Sequence, residues 1–304
     1  LLGPTGVGKT DISIELAERL HSEIISADSR QFYKEMKVGT AVPPEEYLDR
    51  VKHHFIQFLP IQQYYSSSLF ERDVLSLLPE LFSNGKTAIM SGGSGMYIDA
   101  VCNGIDDIPD VDPQVREKYT SMYENSGIEG LRVALKLLDP EHYSKVDLRN
   151  YKRIIRALEI CETTGKPYSS FLNKEKRERE FTIIKAGLKR DREELYERIN
   201  SRVDKMISAG LEDEARKLYP LKHLNSLNTV GYSEMFEYFD GAITLERAIE
   251  LIKRNSRRYA KRQITWWAKD DTIKWFHPDE KKELFYFIET MISGRNKRNT
   301  TPGF

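Results

Sequence analysis

The sequence predicts an α/β fold: a parallel sheet flanked by helices and interrupted by a mostly helical insertion. Three observations carry that prediction. The chain opens on Gly3-Pro4-Thr5-Gly6-Val7-Gly8-Lys9-Thr10, followed at once by a stretch with Ile12, Leu16, Ala17 and Leu20 at helical spacing. Short apolar runs at Glu23 to Ala27, Lys86 to Ser91 and Phe181 to Lys189 read as buried parallel strands. From Ile108 to about Glu178 no strand-like run occurs, and Pro109, Pro113 and Pro140 punctuate charged helical segments. The core is therefore expected from 1–107 and 179–304, with 108–178 as the insertion.

The opening stretch matches G-x-x-x-x-G-K-[ST] without a mismatch. Its glycines open the backbone to turns that let successive N–H groups converge on an anion at a helix N-terminus. In this pattern Gly3, Pro4, Thr5, Gly6, Val7 and Gly8 form the phosphate cradle, Lys9 reaches the terminal phosphates, and the Thr10 hydroxyl holds Mg²⁺. With the apolar runs, it makes the expected fold P-loop NTPase-like. The chain starts two residues before this loop, so the strand that ordinarily feeds it is expected upstream of residue 1 and the sequence looks like a fragment there.

Among 304 residues, 47 Lys and Arg balance 47 Asp and Glu, so any nucleic-acid partner has to be sought in local patches. No apolar run reaches membrane-spanning length and no signal peptide opens the chain, which predicts a cytoplasmic protein without a membrane partner. Cys102 and Cys161, each inside a predicted helix, offer neither a disulfide framework nor metal spacing and read as buried apolar residues.

Taken in order, the first strand ends at Asp28-Ser29-Arg30-Gln31, beside the cradle, where open α/β sheets bind ligands. Asp28 there is either a general base or a cap or metal-shell carboxylate. Gly39-Thr40-Ala41-Val42-Pro43-Pro44 reads as a loop, and His53-His54 leads a strand whose alternation sends the two rings to opposite faces, as packing or polar support. Ser66 to Phe82 is helical. Gly92-Gly93-Ser94-Gly95 is a second glycine-rich turn, either a plain tight turn or a source of amides and the Ser94 hydroxyl at the ligand edge.

Within the insertion, a helix through 149–159 places Ile154, Ile155 and Leu158 on one face and Arg149, Arg153 and Arg156 on another. Residues 173–180 read as an exposed, mixed-charge return that lacks the final Asp of N-K-x-D, which counts against a GTPase. In the helix around 195–203, Arg198 and Arg202 lie at i and i+4, a spacing that favours ion pairs with nearby carboxylates over a phosphate clamp. Residues 251–269 contain no Asp or Glu; Lys253, Arg254, Arg257, Arg258, Lys261, Arg262 and Lys269 make a basic stripe interleaved with Tyr259, Trp266 and Trp267. Such a stripe can neutralise a nucleic-acid backbone. The tail after Gly294 reads as disordered.

The ordered set GPTGVGKT (3–10), SADSRQFY (26–33), GTA (39–41), GGSGMY (92–97), DPQVR (112–116), RIIRALE (153–159), RINSRVDKM (198–206), VGY (230–232) and AKRQITW (260–266) resembles the tRNA dimethylallyltransferases, or tRNA isopentenyltransferases. The resemblance implies transfer of a dimethylallyl group from dimethylallyl diphosphate to the exocyclic N6 amine of the adenosine 3′ of the anticodon, with release of diphosphate. It implies Asp28 as base, and Lys9, Thr10 with Mg²⁺, and Arg202 as partners of the leaving diphosphate, with Ser94 also catalytic. It further implies tRNA anticodon stem-loop contacts from Asp28, Ser29, Arg30, Gln31, Ser94, Arg116, Lys152, Arg153, Arg156, Gly231, Tyr232, Lys261, Arg262 and Gln263, and an insertion that helps grip tRNA. Two positions depart from the family pattern: Ser94 replaces a Thr, and Val42 replaces the lysine of GTAKP. No Cys follows Cys161, so the zinc finger of eukaryotic members is not expected and the bacterial type is. The chain is expected to act as a monomer. The competing reading is a small-molecule kinase that uses the same cradle for ATP.

Overall fold

The computed structural model describes residues 1–85, 87–106, 108–109, 111–172 and 177–296. The chain divides into two compact units, one built from Leu1–Cys102 and the chain from Arg179 onward, the other from Asn103–Glu178.

The first unit begins with α1 (Lys9–Leu20), β1 (Ile24–Ala27), α2 (Glu45–Arg50), β2 (His53–His54), α3 (Ser67–Gly85), β3 (Ile89–Gly92) and α4 (Gly95–Asn103). β2 and β3 pair in parallel on either side of β1, with Ile24 opposite both His53 and Ile89 and Ala27 opposite Gly92. All four β1 residues are buried, as an apolar strand covered on both faces requires. Alternation divides them: Ile25 and Ala27 join the core of Phe32, Phe70 and Tyr232, while Ile24 joins that of Val7, Ile14, Leu188 and Ile199.

The second unit holds α5 (Pro113–Leu138), broken at Gly127, α6 (Pro140–Lys145) and α7 (Tyr151–Thr164), with no strand among its described residues. Tyr119, Leu131, Leu135, Ile154, Ile155 and Leu158 form its core. Asn150 caps α7 and Gly165, in the left-handed region, ends it. Arg149 therefore precedes the helix and pairs with Asp147, so it does not share the Arg153 face.

The first unit resumes with β4 (Ala186–Leu188), α8 (Arg192–Ser208), α9 (Leu211–Leu218), α10 (Tyr232–Phe239), α11 (Leu245–Trp267), β5 (Lys274–Phe276) and α12 (Lys281–Asn296). β4 is shorter than the run from Phe181 to Lys189 predicts, because its ladder partners, Leu2 and β5, extend only along Ala186 to Leu188. Leu2 bridges in parallel to both Gly92 and Gly187 and so joins β3 to β4. Cys102 and Cys161 are buried and unpaired. Among the expectations above, those for Lys86, for 173–176 and for the tail beyond Asn296 lie outside the described residues; Gly294 itself is helical in α12. No described helix is long and apolar enough to cross a membrane.

Candidate active site

Residues 3–8 leave the Leu2 bridge and run into α1 at Lys9. Gly3 and Gly6 have positive φ, and a Cβ would fall 2.8 Å from the Leu188 carbonyl at Gly3 and 2.9 Å from the Ile199 side chain at Gly6. Only glycine fits both positions. The loop is braced from outside: Arg190 Nε donates to the Val7 carbonyl at 3.0 Å and Arg198 Nε to the Gly6 carbonyl at 2.9 Å. Lys9 Nζ donates to the carbonyls of Gly3 (2.8 Å) and Pro4 (2.9 Å). Gln263 closes the remaining side, accepting from Thr5 N–H at 2.9 Å and donating to the Gly93 carbonyl at 2.7 Å. The first amides of α1, which have no intrahelical acceptor, open on the same space.

Two cavities meet here. One, of about 550 Å³, is lined by the cradle, Thr10, Ser26, His53, Arg198 and Lys205. The other, of about 490 Å³, is lined by Ser29, Arg30, Thr40, Asn228 to Val230, Arg258 and Arg262. Thr5, Asp28, Arg202 and Tyr259 line both. Asp28 follows β1 directly; one carboxylate oxygen accepts from Arg30 N–H at 3.0 Å, and the other has no hydrogen-bond partner among the described residues. Arg202 donates to Thr5 Oγ1 at 3.2 Å and to the Thr40 carbonyl at 3.3 Å.

Burial in this cationic corner has an electrostatic cost. Loss of solvent, then repulsion from Arg202, pushes the Lys9 ammonium from 10.5 down to about 7, against the opposing pull of Asp28. Desolvation likewise lowers Arg202, with Asp28 opposing. Burial and then the Asp28 charge raise the Tyr259 hydroxyl to about 12, so it remains a donor.

The expected ion pairs of Arg198 and Arg202 do not form among the described residues. Both guanidiniums lie against the cradle, because α8 packs Ile199 over Gly6 and carries the two arginines to the loop. The basic stripe also divides. Lys253 pairs with Asp204 and Arg257 with Asn200, while Lys261 and Arg262 are exposed and Arg262 covers the Tyr259 ring. Trp267 is in the core, whereas Trp266 is 46% exposed and donates to Asp99 at 2.7 Å.

Several residues expected to face RNA are committed inside the protein. Tyr232 is fully buried with its hydroxyl on Glu214, and buried Gly231 donates to Glu234 at the start of α10. Gln263 is buried between two loops. Gln31 donates to the carbonyls of Thr40 and Ala41. Ser94 is 7% exposed; its Oγ accepts from Ser29 N–H at 3.0 Å and ties the second glycine-rich turn to the segment after β1. In the second unit Arg116 makes a two-pronged ion pair with the fully buried Glu159, which Arg156 also approaches at 3.5 Å. Lys152 and Arg153 are exposed on α7. Arg30 donates to the carbonyls of Asn225 and Ser226.

No cluster of three His, Cys, Asp or Glu suited to a metal occurs among the described residues. His53 donates to the Val51 carbonyl and His54 pairs with Glu23, the polar support expected of them. Thr10 lines the cavity and offers a hard oxygen of the kind Mg²⁺ takes when phosphates and water supply the other ligands. Sequence signals for this bracing are limited to helical spacing: Arg198 and Arg202 flank Ile199, and Gln263 shares a phase with Ala260 and Trp267.

The sequence matches the IPP transferase family over residues 31–270. Among similar proteins, tRNA dimethylallyltransferase 2 of Parabacteroides distasonis is 56% identical over 292 residues, 96% of this chain and 98% of the relative. The tRNA dimethylallyltransferase of Christiangramia forsetii is 54% identical over 294 residues, 96% of this chain and 97% of the relative. The crystal structure of the tRNA isopentenylpyrophosphate transferase from Bacillus halodurans superposes with a TM-score of 0.71 at 37% identity, covering 99% of this chain and 98% of that one. A eukaryotic dimethylallyltransferase acting on tRNA superposes with a TM-score of 0.78 at 26% identity, over 100% of this chain and 80% of that one.

Proposed function

The chain belongs to the IPP transferase family, and from that premise we propose that it transfers a dimethylallyl group from dimethylallyl diphosphate to the N6 amine of the adenosine 3′ of a tRNA anticodon. The observation that supports this reading is the meeting of two cavities at Asp28 and Arg202, one lined by the glycine loop and Lys9, the other by Arg30, Arg258 and Arg262. The fold is then of the P-loop NTPase type, put to use for diphosphate. The relatives are named for prenyl transfer, which favours this reading over a small-molecule kinase.

The adenosine leaves the base stack to enter the second cavity. Its N6 attacks C1 of the donor as the C1–oxygen bond breaks, and the N6 proton passes to the free oxygen of Asp28. Charge developing on the departing diphosphate falls to Lys9, Arg202 and the amides of Gly6, Gly8 and Lys9. Mg²⁺ held at Thr10 would add Lewis-acid neutralisation of the same oxygens. Exposed Lys152, Arg153, Lys261 and Arg262, with Ser29 and Arg30, are the tRNA-facing residues of this reading, whereas Ser94, Gln31, Gly231, Tyr232 and Gln263 act from behind as supports. Arg116 and Arg156 enter this reading with their charge partly offset by Glu159. A cytoplasmic monomer, with residues 103–178 contributing to the grip on tRNA, completes the proposal.

The test incubates the protein with Mg²⁺, unmodified tRNA and either dimethylallyl diphosphate or ATP, then weighs the digested nucleosides. Adenosine should gain an isopentenyl mass only with the prenyl donor. Consumption of ATP with no nucleoside gaining mass would return the kinase reading.

A further inference from the structure

Arg202 reaches the cradle from α8, yet half of its anchorage is a backbone carbonyl, that of Thr40. The placement of that carbonyl depends on residues 37–41, a loop whose Ala41 sits at φ 47, a conformation that L residues avoid. Strain of this kind persists where surroundings over-determine it. The main determinant is Glu214, one turn into α9. Its Oε2 accepts from the N–H groups of Lys37 (2.9 Å) and Val38 (2.7 Å). Its Oε1 accepts from Gly39 N–H (2.8 Å) and the buried Tyr232 hydroxyl (2.6 Å). Three consecutive amides thus converge on one carboxylate, an anion nest filled by the protein's own side chain. The Tyr232 ring closes it so tightly that a Cβ on Gly39 would lie 2.5 Å from the ring. On the far side of the same loop, the Thr40 carbonyl receives Arg202 at 3.3 Å and Gln31 at 3.2 Å.

We infer that Glu214 is a positioning residue for the transfer reaction: by clamping residues 37–39 it presents the Thr40 carbonyl that aims Arg202 into the diphosphate cradle. The inference rests on the diphosphate-binding reading of the cradle. Glu214 lines neither of the two cavities, so it acts through the loop and touches no substrate. Its carboxylate can satisfy four donors because both oxygens only accept. A carboxamide has one accepting oxygen and one donating nitrogen, so Glu214→Gln must face either the Lys37 and Val38 amides or the Gly39 amide and Tyr232 hydroxyl with N–H groups. The loop then has to shift, and the Thr40 carbonyl with it.

The experiment measures affinity for inorganic diphosphate by calorimetry, and turnover with tRNA, for E214Q, R202A and the double variant. Loss of charge-assisted hydrogen bonds to the loop should weaken diphosphate binding about 10-fold and kcat by about as much, with KM for tRNA unchanged. In the R202A background E214Q should change diphosphate affinity less than about 2-fold, since the group it positions is gone. An equal loss in both backgrounds, or wild-type behaviour of E214Q, would overturn the assignment. If E214Q does not fold, Tyr232→Phe removes one of the four donors and should cost about 2- to 3-fold in diphosphate affinity in the wild-type background alone; an equal cost with R202A, or none, overturns it likewise. Because diphosphate affinity is read without tRNA, a wild-type protein that binds diphosphate but prenylates nothing would reject the transferase reading and leave the Glu214 coupling to be judged separately.

Discussion

Diphosphate binding should weaken as pH rises from 6 to 8.5, and Lys9 should be the reason. Loss of solvent and the Arg202 charge hold its ammonium at about 7 in the free protein, against 10.5 for an ordinary lysine. A bound diphosphate reverses both disadvantages by placing negative charge against the ammonium, so binding at pH 8.5 must first recruit a proton. A group with a pKa of 7 is about 90% charged at pH 6 and about 3% charged at pH 8.5, so this linkage alone weakens affinity roughly 30-fold across the interval. Calorimetry in buffers of different ionisation enthalpy reads the protons taken up directly. Subtracting the Lys9→Met variant removes the ligand's own titration. The difference should approach one proton at pH 8.5 and about a tenth of one at pH 6. The same shift acts on stability. A lysine lowered on folding binds fewer protons than the unfolded chain between the two values, so its cost is full below pH 7 and fades toward 10.5, at most about 5 kcal/mol. The melting temperature of ligand-free Lys9→Met relative to wild type should therefore fall as pH rises from 6, on top of the loss of the Lys9 hydrogen bonds to the Gly3 and Pro4 carbonyls. No proton difference at pH 8.5 would mean that Lys9 is already charged in the empty cradle, and the electrostatic account of the site would fail.

Asp28→Asn should lower single-turnover prenyl transfer by about 10²–10⁴-fold, the span of general-base contributions, with tRNA affinity by filter binding unchanged; activity within a few-fold of wild type would remove Asp28 from the base role. Gln263→Leu strands Thr5 N–H and the Gly93 carbonyl, at about 1–3 kcal/mol for each buried group, and should lower thermal stability and diphosphate affinity together while tRNA affinity holds. A variant that loses tRNA affinity at unchanged stability would instead make Gln263 an RNA contact. Lys261→Ala and Arg262→Ala should each reduce the slope of log affinity for tRNA against log salt by about 1 if each meets a phosphate; an unchanged slope would take that side chain out of the interface.

How far this site was legible depends on what each residue type reveals before folding. The turn of residues 3–8 was legible because its determinants are local: the glycines that it needs and the Lys9 side chain that folds back on Gly3 and Pro4 lie within eight residues of chain. Asp28 was placed by a second local rule, that ligands gather beyond strand ends, and the structure sets it at the junction of both cavities. The i, i+4 spacing of Arg198 and Arg202 favours ion pairs that do not form among the described residues, because spacing reports only that two side chains share a helix face, while what faces them depends on how α8 crosses the cradle. Tyr232 and Gln263 illustrate a different limit. Both lie in stretches that resemble tRNA-contacting motifs, and both turn inward, Tyr232 to close the Glu214 nest and Gln263 to brace Thr5 against Gly93. Helical phase could have separated Gln263 from Lys261 and Arg262: Ala260, Gln263 and Trp267 recur at three- and four-residue intervals and are all buried, which puts the two cations on the opposite, exposed side of α11. No such signal existed for Glu214, whose partners are backbone amides some 175 residues away in sequence. A carboxylate satisfied by main chain leaves no trace in side-chain pattern, so its part in aiming Arg202 became visible only once the loop and α9 were brought together.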